Sequence, residues 1–245
     1  MHMKKKFTFE TIRLNKYMSD AGICSRRQAD IFIQDGLVTV DGKVAVPGMK
    51  VTKNQDVRFQ GKPVELIEEL ELIAFNKPRG IVCTAQKREK DNIIDFINYH
   101  TKIYPIGRLD KDSEGLILLT NDGEISNRIQ KARYYHEKEY IVTVDKPVTI
   151  EFLYGMRNGV PILNTVTRKC RVRKLSKNQF SIILTQGLNR QIRRMCEYFG
   201  YRVLNLKRVR IMDIELGKLK TGTYRKLTKN EINKLKKELF NEPDN

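Results

Sequence analysis

The sequence predicts an α+β fold in two parts: a small αα-β unit, then a larger domain whose mixed, mainly antiparallel sheet is flanked by helices. Three observations predict it. Two short amphipathic helix patterns precede a hairpin signal near the start, and a buried-strand pattern opens at Leu72. After Leu72, segments of alternating β-branched or aromatic and polar residues outnumber anything resembling βαβ units. At 245 residues the chain holds one good core with an appendage, or two modest domains. Its 47 Lys and Arg against 29 Asp and Glu leave a formal charge of +18, which points to a phosphate-rich partner; solubility or anionic lipid are the plainer accounts of the same charge.

Residues 1–10 read as a flexible N-terminal tail. Their lysines resemble a charged leader, but Phe7-Thr8-Phe9-Glu10 stands where an apolar secretory core is needed, so a cytoplasmic location is expected. Apolar runs such as Leu116 to Leu119 are far shorter than the roughly 18 residues that cross a bilayer, so no membrane contact is expected. Cys24, Cys83, Cys170 and Cys196 lack paired metal-ligand spacing and read as small core residues, and three histidines cannot assemble a multi-histidine centre. No metal is expected.

Residues 11–62 form the first unit. Leu14, Tyr17, Met18 and Ala21 recur at helical spacing and Gly22 is suited to a left-handed cap. Ser25-Arg26-Arg27-Gln28 then reads as a capping box before the apolar stripe Ala29, Phe32, Ile33, and Gly36 ends that helix. Asp41-Gly42 between Leu37 to Val40 and Lys43 to Val46 is a two-residue hairpin signal, and Val57 to Phe59 offers a further strand. Arg26 and Arg27, on the first helical turn, suit a phosphate-bearing ligand, although a solvated basic face explains them equally well. The pattern from Arg13-Leu14-Asn15-Lys16 to Val40-Asp41-Gly42 resembles the S4 RNA-binding domain, which implies backbone contacts to structured RNA for Arg26, Arg27 and Lys43.

Residues 63–71, with Lys62-Pro63 and the acids from Glu65 to Glu71, read as a linker, and residues 72–228 as the larger domain. Leu72 to Phe75 is a buried strand ended by Asn76-Lys77-Pro78-Arg79-Gly80, and Ile93, Ile94 and Ile97 mark a short helix. Strands are expected at Tyr140 to Val144, Lys169 to Lys174 and Phe180 to Thr185. In Gly107-Arg108-Leu109-Asp110-Lys111-Asp112-Ser113-Glu114-Gly115 the glycines let the chain bend tightly, which would hold Asp110 on a loop at the mouth of a sheet. Taken alone, ordinary turn chemistry accounts better for an aspartate there. Asn121 with Glu124 is expected to cap the next helix.

A second segment, Gln186 to Gly200, changes that balance. Ile192, Met195, Cys196 and Phe199 form a helical stripe with Arg193 at its edge, while Arg190, Arg194 and Glu197 face away. A partly buried Arg193 needs an anion, and a carboxylate beside it stays ionised as a nucleophile must. Lys207-Arg208-Val209-Arg210 alternates like a strand with one basic edge or face.

Together GRLDKDSEGLILLTNDG, His136 to Tyr140 and LNRQIRRM resemble the catalytic-aspartate, tyrosine-strand and arginine motifs of the RsuA/RluF-type pseudouridine synthases, in the expected order. HEKEYIVTVDKPVT, GVPILNTVTRKC and QGLNRQIRRMCEYFGY look closest to the RluF branch, which isomerises a uridine in 23S ribosomal RNA and, in some members, one in a tRNA anticodon. The resemblance implies Asp110 as nucleophile, Arg193 as its ion-pair partner, and Tyr140 for stacking and proton transfer. It gives Arg108 the place of a base flipped out of the stack, puts Lys77 at the cleft, and assigns Arg190 and Arg194 to RNA contact. It needs no cofactor, and no obligate protein partner is evident.

Besides a related synthase acting on a different rRNA uridine, three other readings compete. A non-catalytic S4-type binder or assembly factor explains the first unit and the charge, but not the Asp110 and Arg193 segments. A methyltransferase lacks a G-x-G-x-x-G turn, and an NTPase lacks the lysine after Gly217 to Gly222, where Thr223 stands. Residues 229–245 read as a C-terminal tail with a marginal helical pattern at Ile232, Leu235 and Leu239.

Overall fold

The computed structural model describes residues 11–66, 69–86 and 88–240; the expected tail at residues 1–10 and the last five residues lie outside them. The chain divides into two compact units, between Leu70 and Glu71.

In the first unit β1 (Ile12–Arg13) leads into α1 (Leu14–Asp20), and α2 (Arg26–Gln34) follows the turn at Gly22, whose φ is +77°. Ser25 caps α2: Gln28 N donates to its Oγ at 3.3 Å, and Ser25 N donates to Gln28 Oε1 at 3.0 Å, the reciprocal box the sequence predicts. β2 (Val38–Val40) turns at Asp41 and Gly42, both at positive φ, into β3 (Lys43–Val44). β4 (Lys50–Val51) pairs with β1, while β5 (Val57–Phe59) joins β2 and β6 (Lys62–Pro63) joins β5. Val64 and Leu66 pack on this core and the Val64 carbonyl accepts from Tyr17 Oη at 3.1 Å, so the start of the expected linker belongs to the unit it follows. Arg26, Arg27 and Lys43 are exposed.

The second unit is built on β7 (Leu72–Lys77), β8 (Tyr104–Ile106), β9 (Glu114–Thr120), β10 (Lys138–Val144), β13 (Arg171–Ser176), β14 (Gln179–Leu184), β15 (Val203–Ile211), β16 (Ile214–Glu215) and β17 (Tyr224–Lys226). The small hairpin of β11 (Pro161–Ile162) and β12 (Thr165–Val166) stands apart from that sheet. The order is β13-β14-β10-β15-β9-β7-β17, with β8 beside β9 and β16 beside β15, and every pair is antiparallel except β15 with β9. All six residues of β7 are buried, so the strand runs through Asn76 and Lys77, past the expected end at Phe75.

α3 (Ile93–Ile97), α4 (Gly123–Gln130), α5 (Ile150–Arg157), α6 (Gln191–Tyr198) and α7 (Lys229–Phe240) complete the unit. Phe152, Met156, Phe180, Ile182, Met195 and Cys196 make one core; Ile73, Phe75, Ile93, Ile117 and Leu119 make another. Tyr140 packs against both.

Several sequence expectations are corrected. Asp122, not Asn121, caps α4, accepting from Glu124 N and Ile125 N at 2.7 and 3.1 Å, because the Asn121 amide oxygen is occupied by Glu71 N at 3.0 Å. The strand expected at Lys169 to Lys174 lies two residues later. The C-terminal tail contains a docked twelve-residue helix: Leu235 and Leu239 are buried, and Arg128 both donates to the Leu239 carbonyl at 2.9 Å and stacks on the Phe240 ring. A second capping box starts it, since Thr228 Oγ1 accepts from Glu231 N and Thr228 N donates to the Glu231 carboxylate. Hydrogen bonds from Arg225 hold that carboxyl down at about 2, against its burial.

Candidate active site

Asp110 sits on the loop from Gly107 to Ser113, one third exposed. Gly107, at φ +74°, opens the loop. Leu109 is buried and its N–H points at the Cys83 thiol, 3.3 Å away, while the Asp110 carbonyl accepts from Ser113 N at 3.1 Å. These bonds fix the backbone on both sides of Asp110 and leave its side chain turned outward.

Arg193 is brought here but does not lie on Asp110. Its Nη2 reaches the Asp112 carboxylate at 3.2 Å, the Asp112 carbonyl at 3.2 Å and Ser113 Oγ at 3.3 Å, and its Nη1 donates to the Val203 carbonyl. The nearer partner of Asp110 is Arg190, at 3.6 Å, which also grips Asp112 with two hydrogen bonds of 3.2 Å. The expected pairing is thus shifted by two residues. The tight turn at Ser113 folds the Asp112 backbone and carboxylate toward α6, and the left-handed Arg190 backbone, φ +50°, brings a second guanidinium over both acids. Burial works against ionised Asp112, but the hydrogen bond from Arg190 and the charges of Arg193 and Arg190 outweigh it and hold the carboxyl below its ordinary value. Arg193 itself is pushed down by burial.

Lys77 is also corrected. The resemblance puts it at the cleft and the turn that follows it suggests an exposed lysine, yet Lys77 is fully buried, and its Nζ donates to the Pro78 and Ser113 carbonyls at 2.9 and 2.8 Å. It cannot touch RNA; it ties β7 to the end of the Asp110 loop, with burial lowering its pKa.

A cavity of about 470 Å³ opens beside the loop, within the range of roughly 300–1,000 Å³ usual for ligand sites. Asp110, Arg108, Tyr140, Lys138, Arg190 and Arg208 line it together with the apolar Leu188, Ile192 and Leu206. Arg108 is exposed and Tyr140 half-buried. Arg193 and Arg194 are not among the lining residues; Arg194 donates to the Asn189 carbonyl and side chain.

Asp112, Lys138 and Arg208 are the residues sequence reasoning missed. Even alternation over Lys207 to Arg210 puts Arg208 and Arg210 on one face, but the register slips between Glu139 and Tyr140: Arg210 opposes Glu139 and Arg208 opposes Tyr140. Val209 is the extra residue of a β-bulge, so the two arginines turn to opposite faces. Arg210 joins Glu137 and Glu139 in ion pairs, while Arg208 is buried with its guanidinium 6.0 Å from the centre of the Tyr140 ring.

Gly115 shows why that placement needs a glycine. At φ +104°, a Cβ there would lie 2.2 Å from the Arg208 carbonyl oxygen, where β9 and β15 run parallel.

Residues 71–198 match the family model for RNA pseudouridylate synthase, and residues 12–57 match the S4 domain. The chain is 55% identical to the dual-specificity RNA pseudouridine synthase RluF of Salmonella typhi, over 92% of this chain and 78% of that protein. It is 38% identical to ribosomal large subunit pseudouridine synthase B of Bacillus subtilis, over 91% of this chain and 95% of that protein. A crystal structure of a pseudouridylate synthase superposes with a TM-score of 0.68 at 30% identity, covering 91% of this chain and 99% of that one.

Proposed function

This chain belongs to the RNA pseudouridylate synthase family, carries an S4 domain and is an isomerase of uridine in RNA; from that premise we propose how its residues do the work and which RNA they meet. The reaction breaks the bond between ribose C1′ and uracil N1, turns the base, joins C5 to C1′, and moves the C5 proton away while N1 regains one. Substrate and product are isomers, so the residues need supply only charge, shape and proton transfer.

Asp110 meets the ribose, either adding to C1′ or taking the C2′ proton, and Tyr140 stacks on the everted uracil and moves the C5 proton. Arg190 faces Asp110 directly and Arg193 holds the neighbouring Asp112, so the two guanidiniums form a positive wall beside the Asp110 carboxylate. Arg108 fills the gap left by the flipped nucleotide, and Arg26, Arg27, Lys43 and Arg194 contact the RNA backbone. The observation that carries this reading is that Asp110, Tyr140 and Arg108 line one cavity of nucleotide dimensions. A non-catalytic binder gives that cavity no purpose.

The RNA is 23S ribosomal RNA, with a tRNA anticodon as a second target, in the cytoplasm. The 55% identity to an enzyme called dual-specificity supports two targets, and the 38% identity to a large-subunit enzyme supports large-subunit RNA as one of them; no helix among the described residues is long and apolar enough to cross a membrane. Pseudouridines mapped at single-nucleotide resolution in cells with and without the gene are expected to differ at one 23S uridine and one anticodon uridine. A map that differs only in 16S RNA would overturn the substrate assignment and leave the reaction standing.

A further inference from the structure

Two cations on one wall of the cavity have no task in the reaction as described. Lys138 precedes Tyr140 by two residues on β10 and so shares its face, and the register sets Lys138 opposite Ile211 and Tyr140 opposite Arg208. All four line the cavity. Arg208 is 3% exposed; its Nε donates to the Leu116 carbonyl at 2.6 Å, but its buried Nη2 has no hydrogen-bond partner. Lys138 Nζ makes a long bond of 3.4 Å to the His136 carbonyl. The neighbouring acids do not neutralise this pair, because Glu137 and Glu139 are engaged by Arg171 and Arg210. Burial first, and then the charge of Arg208, push the Lys138 amine down to about 8. Like charges in a partly dry wall cost free energy unless an anion comes to them.

The reaction generates such an anion. When the C1′–N1 bond breaks, its electron pair stays with the base, and uracil departs as an N1 anion whose charge spreads to O2 and O4. We propose that Arg208 and Lys138 receive this charge, stabilising the departing uracil anion and holding it while the base turns to present C5. The phosphodiester is the other anion available, but it remains at the mouth of the cavity, where Arg108 is exposed, whereas Arg208 is almost wholly buried in the cavity wall. Charge on the wall suits a rotating base, since a cation attracts O2 and O4 in turn without a fixed hydrogen-bond direction.

This proposal rests on the cavity being the reaction site, and a leaving-group test separates the two claims. Fluorine at C5 withdraws electrons and makes the N1 anion more stable, so an enzyme lacking the cations should be less impaired on 5-fluorouridine RNA. Single-turnover consumption of the target nucleoside would be followed with the full chain and an RNA segment that the wild type modifies. For Lys138→Met a loss of about 10²-fold is expected on uridine RNA and of about tenfold or less on 5-fluorouridine RNA, with unchanged RNA affinity and most of the rate recovered in Lys138→Arg. Lys138→Gln serves in its place should the Met variant melt early, and Arg208→Lys should follow the same pattern. Equal losses on the two RNAs, a weakened affinity at unchanged rate, or no loss at all would each overturn the proposal. Full activity of an Asp110→Asn variant would instead remove the site on which it stands.

Discussion

Asp110→Asn is expected to lower the single-turnover rate of uridine isomerisation on the order of 10³-fold or more while leaving RNA affinity within about twofold. The exchange removes a charge and a nucleophilic oxygen but keeps the side chain's size. The loop is held by backbone bonds, Leu109 N to Cys83 Sγ and Ser113 N to the Asp110 carbonyl, and neither involves the carboxylate. The variant should therefore fold and bind. The ion pair lost with Arg190 is long, at 3.6 Å, and Arg190 retains its two hydrogen bonds to Asp112, so the cationic wall stays in position. Release of the C5 hydrogen from labelled uridine RNA reports the chemistry and filter binding reports the affinity. A variant that binds and isomerises at the wild-type rate would strip Asp110 of its role.

Gly115→Ala carries the largest expected effect on stability. Two penalties coincide: a positive φ of +104° that alanine tolerates poorly, and a Cβ 2.2 Å from the Arg208 carbonyl oxygen and 2.8 Å from its nitrogen. Both obstacles are backbone atoms of β15, a strand flanked by β10 and β9, so neither can swing aside as a flexible side chain would. A cost of about 3 kcal/mol or more is expected, which for a domain of this size lowers the melting temperature by roughly 6–12 °C. The folded fraction should also lose activity, because the β9 and β15 pair sets Arg208 against Tyr140. Thermal unfolding followed by circular dichroism checks this, and melting within about 2 °C of the wild type would mean that the strands separate without the expected cost.

Much of this fold is legible in the sequence because its signals are local. The Ser25 to Gln28 box, the Asp41-Gly42 turn and the apolar run from Leu116 to Leu119 each depend on residues adjacent in the chain, and each forms where its pattern stands. The loop carrying Asp110 and the helix carrying Arg193 are legible for the same reason. What failed required knowledge of distant partners. Lys77 looks like an exposed cation beside a turn until the Ser113 carbonyl, 36 positions away, is seen to accept from it. The resemblance pairs Arg193 with Asp110, but the turn at Ser113 presents Asp112 to it instead. Arg208 was hidden by a bulge, which breaks strand periodicity without leaving a glycine or proline to mark it. The C-terminal helix reads as marginal because its pattern alone is weak, and its docking comes from Arg128, on α4. The Thr228 to Glu231 box is a local signal of its start that the reading of Ile232, Leu235 and Leu239 leaves unused.

At the centre of this account stands a single uridine swung out of its RNA and seated between Tyr140 and the Asp110 loop. The structure of Asp110→Asn bound to the RNA segment that the wild type modifies tests it most directly. The expected result is the target base inside the cavity, its ring over Tyr140, its ribose C1′ and C2′ within contact distance of the residue 110 carboxamide, and its carbonyl oxygens toward Arg208 and Lys138. An RNA bound with that uridine still stacked in its helix, or inserted at any other surface of the chain, would contradict it.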